Sequence, residues 1–375
     1  LDRDFVIRPY EFGDEEGIVE LLEHSPGGWP GFDLSCTPVE HWRWKYQLGP
    51  IENDYITVCS KDEKIVGCIH IIPQRIKIGD EIVLGNIGAD LAVHPDFRGL
   101  GLSKKMREFH RSREYKNEHQ LTYFVTSNPI MIKEYSKKAT PFPHPVANFV
   151  RIRDVDLQLQ KMPVRNPRTM KLGYEALKIL NGIGRLFHGR RRPKSSMDIS
   201  PVKSFDGRVD GLWDRLSPHY KFMVERKRDY LNWRYCHPHA GNFVVRQAET
   251  NGGVAGYSVL LINRNNRDYP VGYIVDLIFE PSKIDVAGEL VSNAIEYFDG
   301  QGVNIINTFV IRKNLYEKIL NENGLINSRM NLNLFLGVNT KRKQLTMLRE
   351  AHVNSMHFSY GDIDSLPSGL PERNM

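Results

Sequence analysis

The pattern of apolar and polar positions divides the chain into short blocks of alternating period. Phe5-Val6-Ile7-Arg8-Pro9 reads as a strand. Asp14 to Glu23 reads as a helix, because Ile18, Leu21 and Leu22 fall on one side at helical spacing. A Gly/Pro-rich loop, Ser25 to Gly31, follows. Thr37 then starts a helix that runs to about Tyr46, with Pro38 at its first position and Glu40 three residues after the cap. Tyr55 to Ser60 and Ile65 to Ile72 flank the charged turn Lys61-Asp62-Glu63-Lys64, which predicts a hairpin. Arg75 to Ile78 and Glu81 to Leu84 flank Gly79-Asp80 and predict another. Ile87 to Val93 is a strand, His94-Pro95-Asp96 a turn, and Leu102, Met106 and Phe109 mark one face of a helix to about Lys116. Leu121 to Thr126 is the next strand, Asn128-Pro129 opens a helix to about Lys138, and Asn148 to Ile152 closes the unit.

The second half echoes the first. Trp44-Lys45-Tyr46 returns as Trp233-Arg234-Tyr235, and Ile65-Val66-Gly67 as Val254-Ala255-Gly256. The separation is the same, since 67 − 44 and 256 − 233 are both 23. Asp90-Leu91-Ala92-Val93-His94-Pro95 returns as Asp276-Leu277-Ile278-Phe279-Glu280-Pro281. Three ordered matches at near-equal spacing predict two copies of one fold. The expected organisation is a first domain over 1–153, a linker over 154–198, a second domain over 199–340 and a C-terminal segment over 341–375. In the linker, Leu172, Ala176, Leu180, Ile183 and Phe187 mark an apolar helix face, and Gly189-Arg190-Arg191-Arg192-Pro193-Lys194 is a basic tail.

Candidate chemistry centres on Arg98-Gly99-Leu100-Gly101-Leu102-Ser103, between a strand and a helix. The first turn of a helix leaves amides without partners and carries partial positive charge. Glycines let a bulky anion approach those amides, and Arg98 adds a formal charge, so the stretch reads as a diphosphate cradle. It is not a Walker A loop, because no Gly-Lys-(Ser/Thr) closes it, and it lacks the third glycine of a dinucleotide fingerprint. After Pro281 the second copy runs Ser282-Lys283-Ile284-Asp285-Val286-Ala287-Gly288-Glu289, without Arg-Gly-x-Gly and with two acids that would repel a diphosphate.

The string Val93, Pro95, Arg98, Gly99, Gly101, Ser103 resembles the acetyl-CoA signature of the GNAT superfamily of N-acetyltransferases, with Ser103 where Gly or Ala is more usual. The order of elements over residues 4–153 resembles that family too. The resemblance implies an α/β (α+β) fold: two tandem GNAT-like domains, each a mixed, mostly antiparallel sheet flanked by helices, the second degenerate. It implies acetyl-CoA as co-substrate, with Leu91, Ala92 and Val93 pairing with the pantetheine arm and Arg98, Gly99, Leu100, Gly101, Leu102 and Ser103 around the diphosphate. One strand amide acting as an oxyanion donor would be worth about 3 kcal/mol. The family's Asn-then-Tyr pattern fits Asn128 and Tyr135, seven residues apart. It makes Asn128 a contact to the CoA arm and Tyr135 the acid that protonates the departing thiolate, a phenol suited to a thiol of similar basicity. Asp90 is the candidate base, although Asp276 in the cradle-less copy argues for a structural role. Glu40, His41, His94 and a water chain are further candidates. The family builds its acceptor pocket near Trp29 and Trp44, which makes them substrate-wall candidates beside the packing reading.

The implied reaction is direct transfer of an acetyl group to a primary amine of a small molecule, such as an amino sugar or amino acid, without a covalent enzyme intermediate. The alternatives are a non-catalytic acyl-CoA-binding module and a transferase of a longer acyl group. The bulk properties are compatible with this. No run of eighteen apolar residues exists, and the N-terminal stretch lacks a signal peptide's apolar core. Cys36, Cys59, Cys68 and Cys236 lack paired spacing, so a cytoplasmic protein with free thiols is expected. The net charge of +6 is uneven. Residues 151–194 hold twelve Lys/Arg and three acids, a local +9 that leaves the rest near −3. No specific nucleic-acid partner is therefore expected, and residues 185–194 are left as a contact for an anionic surface. His237-Pro238-His239 has no third ligand nearby and reads as a turn, so no metal is expected. The oligomeric state is left open.

Overall fold

The structure, a computed structural model, describes residues 5–24, 28–114, 120–126, 128–160, 197–250, 253–264, 269–337 and 341–364. The linker helix and basic tail expected within 161–196 lie outside these residues.

The first half runs β1 (Val6–Pro9), α1 (Glu15–Glu23), α2 (Pro38–Gln47), β2 (Thr57–Lys61), β3 (Lys64–Ile78), β4 (Glu81–Val93), α3 (Leu102–Glu114), β5 (Leu121–Val125), α4 (Pro129–Lys138), β6 (Thr140–Pro141) and β7 (Val146–Ile152). The Thr37 capping box forms as its sequence requires, with Glu40 reaching back to the Thr37 amide. Both expected hairpins form, β2 with β3 and β3 with β4, but a single strand, β3, runs through both, with Pro73 opposite Asn86. Proline is tolerated there because β2 has stopped pairing with β3 at Ile69, and β9 (Phe222–Val224) joins only at Ile76. At Pro73 that side of β3 is an edge, where a missing N–H costs nothing.

After the short α5 (Val155–Gln160), the second half continues with β8 (Asp198–Val202), α6 (Arg208–Leu216), β9, α7 (Arg228–Leu231), β10 (Val244–Thr250), β11 (Gly253–Asn263), β12 (Val271–Phe279), α8 (Ile284–Gly300), β13 (Ile305–Ile311), α9 (Leu315–Glu322), β14 (Ile326–Leu332), β15 (Leu334–Leu336) and α10 (Arg342–Glu350). Two mixed sheets result, flanked by helices and built to one plan. The first has the order β1-β2-β3-β4-β5-β15-β6 with β9 beside β3, and the second β8-β10-β11-β12-β13-β7-β14. The repeated glycines have the same use in both. A Cβ on Gly67 would stand 2.8 Å from Met106 of α3, and one on Gly256 would stand 3.0 Å from Val286 of α8. Each lets the following helix lie close on its sheet.

The expected boundaries at 153 and 340 do not follow the sheets. β7 leaves the first half and sits between β13 and β14, pairing along its length from Val146↔Ile311 to Ile152↔Ile305. β15 makes the reverse journey and pairs Leu334↔Val125 between β5 and β6. The halves have exchanged their closing strands, so neither sheet is complete without the other. The contact between them also has reciprocal form. Trp44 stacks on Trp233 at 5.4 Å, the Trp44 indole donates to the Trp233 carbonyl at 2.7 Å, and the Trp233 indole donates to the Trp44 carbonyl at 3.0 Å. One apolar core runs through both halves. The segment after α10 is not peripheral either: Met356, Phe358, Tyr360 and Ile363 are buried in that core.

Candidate active site

The site begins where two parallel strands part. β4 and β5 pair only over Gly85↔Leu121, Asn86↔Thr122 and Ile87↔Tyr123. Beyond Ile87 the β5-facing edge of β4 has no strand partner. A bulge lies here, since His70 faces Ala89 and Cys68 faces Ala92, with one extra residue on β4. Asp90 at the bulge holds a φ of +22°, a conformation rare outside glycine. Bulges re-aim backbone groups, and this one turns the Asp90–Leu91 segment at the wedge.

The wedge opens into a cavity of about 340 Å³. Gly88 to Leu91 line one wall, Thr122 and Phe124 to Thr126 the other, and Arg107, His110, Asn128, Met131 and Tyr135 come from α3 and α4. The glycine turn lies between β4 and α3, both of which line this cavity. Gly99 and Gly101 have φ of +81° and +76°, and a Cβ on either would meet nothing within 4 Å. The amides of residues 99–103 donate to no acceptor among the described residues, whereas Lys104 and Lys105 both donate to the Gly101 carbonyl. Arg98 and Leu100 are exposed, and the Arg98 guanidinium steadies itself on the Val93 carbonyl at 3.2 Å. Leu102 packs its side chain beneath α3 and offers only its amide, while Ser103 is partly open. The turn is therefore unplugged and lined with unspent donors, which fits the anionic end of a CoA thioester. Gly101→Val adds bulk in front of those amides and forces a β-branched residue to positive φ. We expect CoA affinity to fall about tenfold or more, matching the roughly 1–2 kcal/mol left-handed cost; calorimetric titration with CoA measures it.

The second half splays in the same way, pairing β12 with β13 only over Val271↔Ile305 to Tyr273↔Asn307. Its wedge is filled. Every residue of β12 and β13 is buried, Thr308 Oγ donates to the Ile274 carbonyl at 2.9 Å, and Tyr316 packs on Phe279 at 5.0 Å. Glu280 is occupied by Arg215 and Lys283. Among the described residues, it is the first wedge that borders a cavity of this kind.

Tyr135 stands in the cavity on α4, its ring 4.0 Å from Phe124, with the Arg107 guanidinium 5.7 Å from its centre. Burial raises its pKa above the ordinary phenol value, against the pull of Arg107. The hydroxyl thus keeps its proton at neutral pH, as an acid must. Arg107 is fixed by Glu134 at 2.8 Å. Asn128 borders the cavity, but its Oδ1 caps α4, accepting from the amides of Ile130 and Met131 at 2.9 and 3.4 Å. Only its Nδ2 remains for a ligand.

Two expectations are corrected. Trp44 is not a substrate wall: it is buried and spent on the Trp233 stack. Asp90 is not poised as a base. Its Oδ2 accepts from Trp29 Nε1 at 2.8 Å, Lys45 Nζ at 2.8 Å and Tyr46 OH at 2.5 Å. Burial would raise its pKa, but Lys45, His70 and these hydrogen bonds outweigh it and hold it at about 2. In the other half Tyr235 OH likewise reaches Asp276, at 3.2 Å, so the repeated Tyr–Asp pair is an architectural device. Trp29 is half-buried beside Asp90, compatible with a substrate wall.

His70, which borders the cavity, and the candidate bases His41, Glu40 and His94 also have partners. Trp42 Nε1 donates to His70 Nε2 at 3.1 Å, so His70 Nδ1 donates to the Asp90 carbonyl. Burial lowers the His70 pKa to about 4. Burial likewise holds His41 at about 3, with its Nδ1 on the His239 carbonyl. Glu40 belongs to its capping box, and His94 accepts from the Asp96 amide. His237 Nδ1 accepts from the His239 amide, a local turn.

Sequence reasoning missed Asp364. It borders the same cavity, 3.8 Å from Lys45 Nζ. Nothing local could have flagged it, because it lies 274 positions beyond Asp90 (364 − 90) in a polar C-terminal stretch.

Residues 7–137 match the family model of the acetyltransferase (GNAT) domain. No curated protein matches the chain in sequence. Among solved structures, the chain is similar to Saccharomyces cerevisiae N-myristoyltransferase with bound myristoyl-CoA, at TM-score 0.61 and 14% identity, over 90% of this chain and 79% of that one. It is also similar to a conserved Enterococcus faecalis V583 protein of unknown function described as a probable N-acyltransferase, at TM-score 0.59 and 11% identity, over 88% and 72%. At these identities the likeness is one of fold.

Proposed function

We propose that this chain, whose residues 7–137 match the acetyltransferase (GNAT) domain model, is an acyl-CoA-dependent N-acyltransferase that moves an acetyl group from acetyl-CoA directly to a primary amine of a small molecule. The observation that carries this reading is the parted β4/β5 wedge, whose cavity holds Tyr135, together with the unspent amides of residues 99–103 on the turn that joins β4 to α3. The amides and Arg98 would hold the diphosphate, and the free edge of β4 the pantetheine arm. A re-aimed amide at the bulge would polarise the thioester carbonyl. Tyr135 would protonate the departing thiolate.

A short acyl group is favoured by the floor of the wedge. His70, Trp42, Tyr46 and Tyr123 close the α2 face of the sheet, each fully buried. Tyr123 OH is pinned by Gln74 and the Asp362 carbonyl at 2.6 and 2.7 Å. A long chain would have to displace this packed, hydrogen-bonded layer.

The test is thiol release from acetyl-, octanoyl- and myristoyl-CoA with a panel of amino sugars, amino acids and polyamines. We expect release with acetyl-CoA and little with myristoyl-CoA. A preference for myristoyl-CoA would replace the acetyl assignment. Tight CoA binding without release across the panel would favour a binding module.

A further inference from the structure

Beside the wedge, a buried cation, Lys45, lies between two carboxylates far apart in the sequence, Asp90 and Asp364, both of which border the cavity. Lys45 Nζ is 2.8 Å from Asp90 and 3.8 Å from Asp364, with its side chain almost wholly enclosed. The indole of Trp29 and the ring of Tyr46 also face it, 5.7 and 5.2 Å from Nζ to their centroids. The cluster therefore carries one negative charge more than it neutralises.

The two carboxylates differ in what they have left to give. Three donors converge on Asp90 Oδ2. Asp364 receives the Asp90 backbone amide and the more distant Lys45, and it faces the cavity with its side chain 14% exposed. Its segment is rigidly seated from the other side. Arg234 donates to the Ile363 carbonyl, and Tyr123 donates to the Asp362 carbonyl.

We propose that Asp364 is the residue that receives the acceptor amine as an ammonium ion and takes its proton. The proposal rests on the acyltransferase reading above and adds the base that Asp90 cannot be. Burial and the charge on Asp90 raise the proton affinity of Asp364, against the pull of Lys45. The other titratable groups around it come from several elements. His41 and Tyr46 stand on α2 and His70 on β3, while Arg107 and His110 approach across the cavity from α3. The two histidines with lowered pKa are neutral near pH 7, which leaves Asp364 as the acceptor with spare capacity.

The step balances as follows. One ammonium proton passes to Asp364 and then to solvent. The freed nitrogen lone pair forms the N–C bond, and the C–S bond breaks. The thiolate takes the Tyr135 proton, and the second proton shed by the new amide nitrogen restores the phenol through solvent. The products are the N-acyl amine, CoA thiol and one released proton.

The experiment compares wild type, Asp364→Asn and Asp364→Glu. It measures CoA affinity by calorimetry, binding of ethanolamine, putrescine and glucosamine to the CoA-loaded protein, and kcat/KM against pH. With Asp364→Asn we expect unchanged CoA affinity, amine affinity reduced about tenfold, and kcat/KM reduced about 10²-fold or more. The rise of kcat/KM with pH should vanish in Asp364→Asn and return, shifted, in Asp364→Glu. Unchanged amine affinity and pH profile in Asp364→Asn would overturn the proposal, as would a wild type that binds none of the amines. If wild type binds CoA and amine without turnover, the acyltransferase reading fails by itself, and loss of amine binding in Asp364→Asn still supports the amine site.

Discussion

Tyr135→Phe is expected to lower kcat by about 10²–10⁴-fold while CoA affinity stays within experimental error. The substitution removes one hydroxyl and keeps the ring, which packs 4.0 Å from Phe124 and 6.1 Å from Phe335, so the fold of α4 against β5 should persist. The amides proposed to bind the diphosphate sit on residues 99–103, a different element, which is why binding and turnover should separate. Single-turnover measurement of thiol release, with calorimetry on the same preparation, reads both quantities. Equal losses in affinity and rate would mean that Tyr135 shapes the cavity and supplies no proton.

Arg226→Met should be the most damaging single change to stability. Arg226 is 1% exposed and donates to Asp276 at 2.8 Å and to Asp362 at 2.5 Å. Ser359 Oγ adds a bond to Asp276 at 3.0 Å, and the Ser359 amide one to Asp362 at 2.8 Å. Removing the guanidinium leaves two buried carboxylates without their counter-charge, for which about 3–5 kcal/mol is expected. The loss should appear as a lower denaturant midpoint at pH 7. The sign of its pH dependence follows from Asp362. Burial acts to raise its pKa, but Arg226 and His357 outweigh that and hold it at about 2, below the ordinary 3.8. The carboxylate's contribution is complete above the unfolded value and is lost as pH falls through about 2. Wild type and variant should therefore converge in stability as the pH is lowered towards that value. A constant difference across the range would place the effect in packing. Because Asp362 is two residues from Asp364, the variant should also loosen the amine side of the cavity, visible as a raised KM for the amine with CoA affinity held.

Much of the first half was legible because its signals are local. The Thr37 capping box, the apolar face of α3 and the glycines at 99 and 101 depend on neighbours within a few positions, so spacing alone places them. The repeat of Trp44-Lys45-Tyr46 as Trp233-Arg234-Tyr235 was legible too, but its meaning was not. Trp44, a substrate-wall candidate beside the packing reading, is half of a stacked pair whose partner lies 189 positions away. Asp90 is a candidate base whose echo at Asp276 argues for a structural role, and the physical reason is the three donors that converge on its Oδ2.

By itself the sequence determined where a strand passes through two glycines into a helix, the turn proposed to hold an anion. Glycine backbone freedom and a helix start are properties of consecutive residues, and the second copy lacks both glycines. Only the tertiary structure decided which sheet each closing strand completes, which carboxylate is spent, and that a C-terminal aspartate faces the wedge. Those outcomes depend on long-range pairing and on burial, where a charge's behaviour is set by partners that chain order does not reveal.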